Sequence, residues 1–411
     1  MRATASPVYY GWFILAASAV SEMLVMGATA YASGLFVLPL QAEFHISRAN
    51  ANSSILILFF GAMLVAPLAG RILDVWPIRR VTSVGAVILG LSLAGIALAP
   101  ALWMMAVILL LPMAVAFMSL GPLNTSTLAA RWFHRRRGLA MGIAAVATSG
   151  GGFTVVPLLS AAIQHYGWRQ ALLYEGAAMT VVIIALALLI LRDRPSDLGL
   201  DTHPENLERD FTPRPKSAPL NWTTVFTSRA FWVPALTLAA VSGTSQAVVI
   251  TLVPYGVQLG IKPAAAALLI SAFAIAAAVT KVLAGMLADR INQRLLLIVA
   301  AASMTLSWTL LSFFSAYDAL LAGSCLAGIA LGCALPTAAG LIAAGFGSAR
   351  FGSVMSWTYT LTAGLAILAV RFVGFMYDKF GGYHMAFECF AALLAGLLLM
   401  TLLIAPDIRE S

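Results

Sequence analysis

Five ionisable side chains interrupt otherwise apolar stretches: Glu22, Glu175, Lys281, Arg371 and Glu388. A charge surrounded by hydrocarbon is costly, so each marks a candidate site. Glu22 is the deepest acid, eleven residues beyond Gly11 and fifteen before the end of its run. A carboxyl there could take up and release a proton, form an ion pair with Lys281, or sit protonated between helices. Lys281 lies one helical turn before Gly285. An ammonium in a low-dielectric cavity attracts an anion, although its long stem could also carry the charge to headgroup level. Arg371 and Glu388 fall about five residues from the facing ends of neighbouring runs. They read as a structural ion pair, with Arg371 as a second anion-binding cation the rival reading. Glu175 reads as structural.

Neutral polar groups cluster in the same stretches. Asn124 and Thr127 share a helical face, as do Ser242, Ser245 and Gln246. Tyr31, Tyr255 and Tyr359 offer hydroxyls. Each could orient a ligand or simply bond a nearby backbone carbonyl.

The elements that hold these groups follow from composition. The chain has 411 residues, of which 61% are apolar and only 10% charged, against about a quarter in soluble domains. So few charges cannot cover a water-soluble globule of this size. A soluble enzyme, a nucleic-acid-binding protein and a disordered chain are therefore excluded, despite the net charge of +8. A spanning helix needs about 20 mostly apolar residues. Twelve runs qualify: 11–37, 51–70, 79–99, 101–129, 138–162, 169–191, 230–257, 264–287, 293–314, 317–343, 352–376 and 383–405. The first reads as a retained span, being too long for a signal-peptide core. The proline-bearing stretch 193–229 separates six runs from six, giving bundles over 1–192 and 230–411 joined by a cytoplasmic linker. With both termini cytoplasmic, eighteen Lys and Arg fall inside and four outside, the bias that sets orientation. Cys325, Cys333 and Cys389 have no metal or redox spacing and read as small hydrophobes.

The halves repeat one another. Gly70, Asp74, Arg79 and Arg80 follow the second run, and Gly285, Asp289, Arg290 and Arg294 follow the eighth, 215 residues later. Duplicated halves with a site at their interface are a transporter signature. The repeated aspartates suit a cytoplasmic gate; a tight turn with snorkelling arginines is the plainer alternative. Ser149-Gly150-Gly151-Gly152 follows no strand and is not a phosphate cradle. Its small residues suit packing of the fifth span against a helix of the other half. Arg135, Arg136 and Arg137 could meet anionic lipid headgroups or serve orientation alone.

Four segments carry a family resemblance: Tyr10-Gly11-Trp12; Arg131 to Gly142, reading RWFHRRRGLAMG; Tyr166-Gly167-Trp168-Arg169; and Gly374, Tyr377, Asp378 and Gly381. The second is specific, and the others support it. On these residues the chain resembles the major facilitator superfamily over nearly its whole length. More narrowly, it is similar to the monocarboxylate transporters and the related oxalate/formate antiporters. The resemblance implies an all-α membrane protein of twelve transmembrane helices in two pseudo-symmetric six-helix bundles. Their central cavity would open alternately to each side. It also implies that Lys281 stands where the monocarboxylate transporters carry a substrate-binding arginine. Their aspartate one turn earlier is Ala277 here, and the span-one lysine of animal members is absent around Tyr31-Ala32-Ser33.

The resulting expectation is a secondary active transporter, not an enzyme, of a small organic anion such as a monocarboxylate. Lys281, Asn124, Gln246, Tyr31, Tyr359 and Arg371 would bind substrate, and Glu22 would couple protons. Gly70, Asp74, Arg79, Arg80, Gly285, Asp289 and Arg290 would form the cytoplasmic gate. Protons and membrane lipids are the expected partners, no cofactor or metal is expected, and the location is a bacterial inner membrane. Rival readings are an oxalate/formate-type exchanger and a non-transporting sensor of the same fold.

Overall fold

The computed structural model describes residues 9–46, 48–133, 136–199 and 222–404. Most of the expected linker, together with Arg2, His134, Arg135 and Arg409, lies outside them. Twelve helices are long and apolar enough to cross a membrane. They are α1 Gly11–Phe36, α2 Ser53–Val75, α3 Ile78–Leu98, α4 Leu102–Trp132, α5 Arg137–Tyr166, α6 Trp168–Leu189, α7 Arg229–Gln258, α8 Leu268–Ala288, α9 Gln293–Phe313, α10 Tyr317–Phe346, α11 Ser348–Phe380 and α12 His384–Leu402. An even number of crossings leaves residues 9 and 404 on one side, here termed proximal.

Each helix closes its own backbone hydrogen bonds, as hydrocarbon requires. Two departures matter for the site. α1 passes through a π turn at Gly27–Tyr31 and a 3₁₀ turn at Ala32–Phe36. α4 passes through a π turn at Leu109–Met113 and breaks at Gly121, where ψ is −156°. Pro122 then starts a fresh helical segment, and its missing N–H costs nothing at that position. Glycines close α5, α10 and α11 with φ of +78° at Gly167 and Gly347 and +71° at Gly381, a conformation that side chains with a Cβ resist.

Within the first half α1 packs on α5 and α3 on α6; within the second, α8 and α9 pack on α10, and α7 on α11. The halves meet through α2 against α11 and α5 against α8. The motif residues largely tie helix ends. At the proximal end, carbonyls that end α6 accept from the Tyr10 hydroxyl (Ile190, 2.9 Å), Arg79 Nε (Leu191, 2.8 Å) and Trp132 Nε1 (Arg192, 3.1 Å). At the distal end Arg169 donates to the carbonyls of Ala97 and Ala99 and to Glu43, the last at 2.6 Å. Trp168 Nε1 donates to the same carboxylate at 3.0 Å. These partners, Arg169 foremost, hold the Glu43 carboxyl below its ordinary pKa.

Candidate functional site

Lys281 points inward. Its residue is only 6% exposed, and Nζ donates to Thr148 Oγ1 at 2.8 Å and Ser149 Oγ at 3.0 Å. Both acceptors belong to α5, so an α8 cation is held by hydroxyls of the opposite half. The snorkelling alternative is thereby excluded. An ammonium has three donors, and two have partners among the described residues. Glu22 faces the same region at 1% exposure. Its polar neighbours are Thr125 and Lys281, and neither carboxylate oxygen has a hydrogen-bond partner among the described residues. Leaving such a group unpaired costs several kcal/mol as a rule of thumb, about 2–7 even for neutral polar groups.

Tyrosines complete the cluster. Tyr31, 44% exposed, lies beside Ser149 and within the field of Glu22. Tyr359 of α11 lies beside Ser126 and Glu22, with its hydroxyl buried and unpartnered among the described residues. Glu22, Lys281, Tyr31 and Tyr359 thus converge from α1, α8 and α11, although up to 337 positions apart in sequence. The arrangement offers a cation with a spare donor, an acid with unused acceptors, and a tyrosine hydroxyl. Such a set can hold a carboxylate and exchange a proton beside it.

The remaining binding candidates share no hydrogen bond or ion pair with this cluster among the described residues. The Asn124 amide donates to Thr82 Oγ1 at 3.1 Å and to the Ser119 carbonyl at 2.5 Å, so it braces the first half internally. Gln246 is exposed on α7 and joins no hydrogen bond among the described residues. Thr127, Ser245 and Tyr255 bond backbone carbonyls of Leu123, Val241 and Leu311. Arg371 is exposed, about 18 Å along α11 from Tyr359 at 1.5 Å per residue. The expected Arg371–Glu388 ion pair is absent among the described residues, and both side chains are exposed. Spans of equal depth need not turn the two residues toward each other. Glu175 is half-buried, and both of its carboxylate oxygens are buried and unpartnered among the described residues.

The proximal end carries the repeated aspartates. α2 runs on to Val75, so Asp74 belongs to its last turn rather than to a following loop. Its carboxylate accepts from Gly352 N at 3.0 Å and Ser353 N at 2.7 Å, at the start of the regular α-helix of α11. Asp289 accepts from Gly138 N at 2.6 Å and Leu139 N at 2.9 Å, at the start of α5. Each half therefore caps a helix of the other. The residues at the two N-cap positions are Arg136 and Arg350. Arginine has no acceptor to offer, and the opposite half's carboxylate takes over that task, favoured further by the helix dipole. Gly70 packs against Gly352 and Gly285 against Gly138 so closely that a Cβ at any of the four would strike backbone or the capping carboxylate.

Three expected gate residues act differently. Arg79 binds the end of α6 in its own half, where the free carbonyls attract a cation. Arg80 and Arg290 are exposed and join no side-chain hydrogen bond or ion pair among the described residues. The residue beside the capping carboxylate of Asp74 is instead Arg131, 8% exposed, whose Nη2 lies 3.7 Å from Asp74 Oδ1 and donates to the Leu73 carbonyl. The triple glycine is also corrected. Gly150 and Gly151 pack against Met23 and Gly27 of α1, within the same half. The close approach to the other half is made by Gly138 and Gly142 against α8.

Replacing either aspartate by alanine removes a charged cap worth about 0.5–2 kcal/mol. Asp74→Ala and Asp289→Ala are each expected to open the proximal side several-fold more often, since 1 kcal/mol is about fivefold. Maleimide labelling of an Ala145→Cys background from the proximal side measures this, and unchanged rates in both variants would contradict the capping role.

A Major Facilitator Superfamily profile matches residues 18–261 and 237–411. The chain belongs to that family. It is similar to rat (Rattus norvegicus) Monocarboxylate transporter 13, 26% identical over 415 residues that cover 94% of this chain and 87% of the relative. It is 31% identical to human Monocarboxylate transporter 11 over 162 residues, 39% of this chain and 31% of that one. The first curated relatives are matched over only 45%, 31% and 62% of their own lengths. In fold, it resembles the human organic anion transporter MFSD10 (TETRAN), with a TM-score of 0.71, 16% identity and coverage of 96% and 100% of the two chains. The protein is thus an integral membrane protein of transporter fold, similar to the monocarboxylate transporters.

Proposed function

We propose that the chain is a secondary active transporter of a small organic anion, a monocarboxylate, moving by proton symport with alternating access. The observation that carries this reading is the buried Lys281 ammonium, anchored by Thr148 and Ser149 and facing the unpartnered Glu22. The substrate carboxylate meets the spare N–H of Lys281, and Tyr359 and Tyr31 read the rest of the molecule. Glu22 carries the proton. The names of the sequence relatives support the substrate class. Charge bias supports cytoplasmic termini, the polar, proline-bearing stretch supports a linker over 193–229, and the compact loops support a bacterial inner membrane.

Alternation follows from the two faces of the interface. The paired aspartates and glycines hold the proximal side shut, so substrate enters from the distal side in this state. Neutralising the Glu22–Lys281 region with a proton and an anion removes the charges that resist passage through the closed, dry form.

The test is uptake of labelled monocarboxylates into proteoliposomes, with and without an imposed proton gradient and with and without preloaded anion. Gradient-driven accumulation without preloading is the expected result. Uptake that demands preloaded anion and ignores the gradient selects the exchanger, and binding without flux selects a sensor. Glu22→Gln is expected to abolish accumulation against a gradient while leaving anion exchange measurable. Wild-type accumulation by that variant removes Glu22 from the coupling step.

A further inference from the structure

A cavity lies inside the first half, and neither Glu22, Lys281, Tyr31 nor Tyr359 lines it. It encloses about 420 Å³, within the range of small-ligand sites. Its walls come from α1, α2, α3, α4 and α6, with Leu40 and Ile46 of the α1–α2 connection. Seventeen of its twenty-one lining residues are Ala, Leu, Ile, Met, Phe or Trp; the others are Thr29, Ser33, Ser53 and Ser54. Thr29 and Ser33 spend their hydroxyls on the carbonyls of Val25 and Ala30. No charged side chain lines it, so it suits neither the anion nor the proton of the central site.

Its depth and its rim identify an occupant. On α4 the lining runs from Leu102 to Met113, a rise of about 16 Å at 1.5 Å per residue. Half of a ~30 Å hydrocarbon core is about 15 Å, so the cavity runs the depth of one leaflet. At the distal rim stand Trp103, 68% exposed, and Trp168, the residue type that marks headgroup level. Arg169 stacks on Trp168 at 4.5 Å, placing a guanidinium at that rim. The floor is formed by the two irregular stretches: Ala28 and Thr29 belong to the π turn of α1, and Leu109 and Met113 to that of α4.

We propose that this cavity is a lipid site that holds one acyl chain of a distal-leaflet phospholipid. The headgroup stays at the tryptophan rim and the chain end lies between the two π turns. The chain fills space that the widened turns leave open, and apolar burial of about 25 cal/mol per Å² favours it. The proposal does not depend on which anion is carried.

The experiment uses the full chain in nanodiscs of phosphatidylcholine containing a phospholipid with a diazirine at the acyl terminus, followed by irradiation and peptide mapping. Adducts on Leu109 or Met113 are expected. Filling the cavity with Ala106→Phe plus Ser54→Phe is expected to cut them about tenfold, as loss of ~1.4 kcal/mol of binding does. Adducts near Val181, 68% exposed on α6, serve as the control for folding and insertion and stay unchanged. Adducts confined to exposed faces, or equal cavity labelling in wild type and the filled variant, overturn the proposal. So does displacement of the cavity adducts by a transported monocarboxylate, which would make the cavity part of the substrate path. A single Ala106→Phe variant, the smaller perturbation, gives the same reading if the double variant does not insert.

Discussion

On the proposed transport function, Lys281→Met is expected to lower monocarboxylate uptake by about two to three and a half orders of magnitude, because breaking a buried charge pair costs about 3–5 kcal/mol, at 1.4 kcal/mol per tenfold. Methionine keeps much of the stem that packs between α5 and α8 but offers Thr148 and Ser149 no donor. Those hydroxyls can turn to backbone carbonyls of their own helix, as Thr148 already does with Ala145 at 2.5 Å, so the fold survives. Lys281→Arg retains the charge but not the compact point donor, and it restores part of the uptake. Proteoliposome initial rates, normalised to inserted protein, check both variants. Wild-type uptake by Lys281→Met would remove the ammonium from substrate binding altogether.

The second large effect is expected at Gly285. A Cβ there would lie 2.5 Å from the Gly138 carbonyl oxygen and 2.8 Å from Gly142 Cα. All of these are backbone atoms, so no side chain can turn aside. Overpacking of this kind costs about 1–3 kcal/mol or more, here charged only to the state in which α5 and α8 touch. Gly285→Val is therefore expected to depopulate the proximally closed state about fivefold to 150-fold. Spin-label distances across the proximal ends of α5 and α8 widen, and distal-side uptake falls in proportion. A valine variant with unchanged distances and uptake would show that the helices close elsewhere.

Much of the fold was legible because hydrocarbon leaves few choices. Twelve apolar runs became twelve helices, with ends shifted by a few residues; α2 gained Asp74 because nothing before Pro77 stops it. Glu22 and Lys281 could be singled out because charge in an apolar run is rare. The aspartates could be singled out because their pattern occurs twice. The residues that were missed have no such signal. Thr148 and Ser149 look like any hydroxyls in an apolar helix, and Arg131 sits in a basic cluster that also reads as topology. Gly150 and Gly151 reveal a close approach without naming the partner helix. Tyr31 lies beside Ser149 and within the field of Glu22, a neighbourhood its spacing hides. Nine residues from Glu22, at about 100° each, put it on the opposite face of a regular helix. The π turn at Gly27–Tyr31 winds more slowly and brings it back beside Ser149.

The exchanged helix caps also govern how the molecule lets go. Asp74 and Asp289 sit at equivalent places in the repeat, and each holds the second and third amide of its partner's helix. If the bundles rock about an axis between the two clasps, as the proposed alternating access requires, both are loaded at once and are expected to give way together.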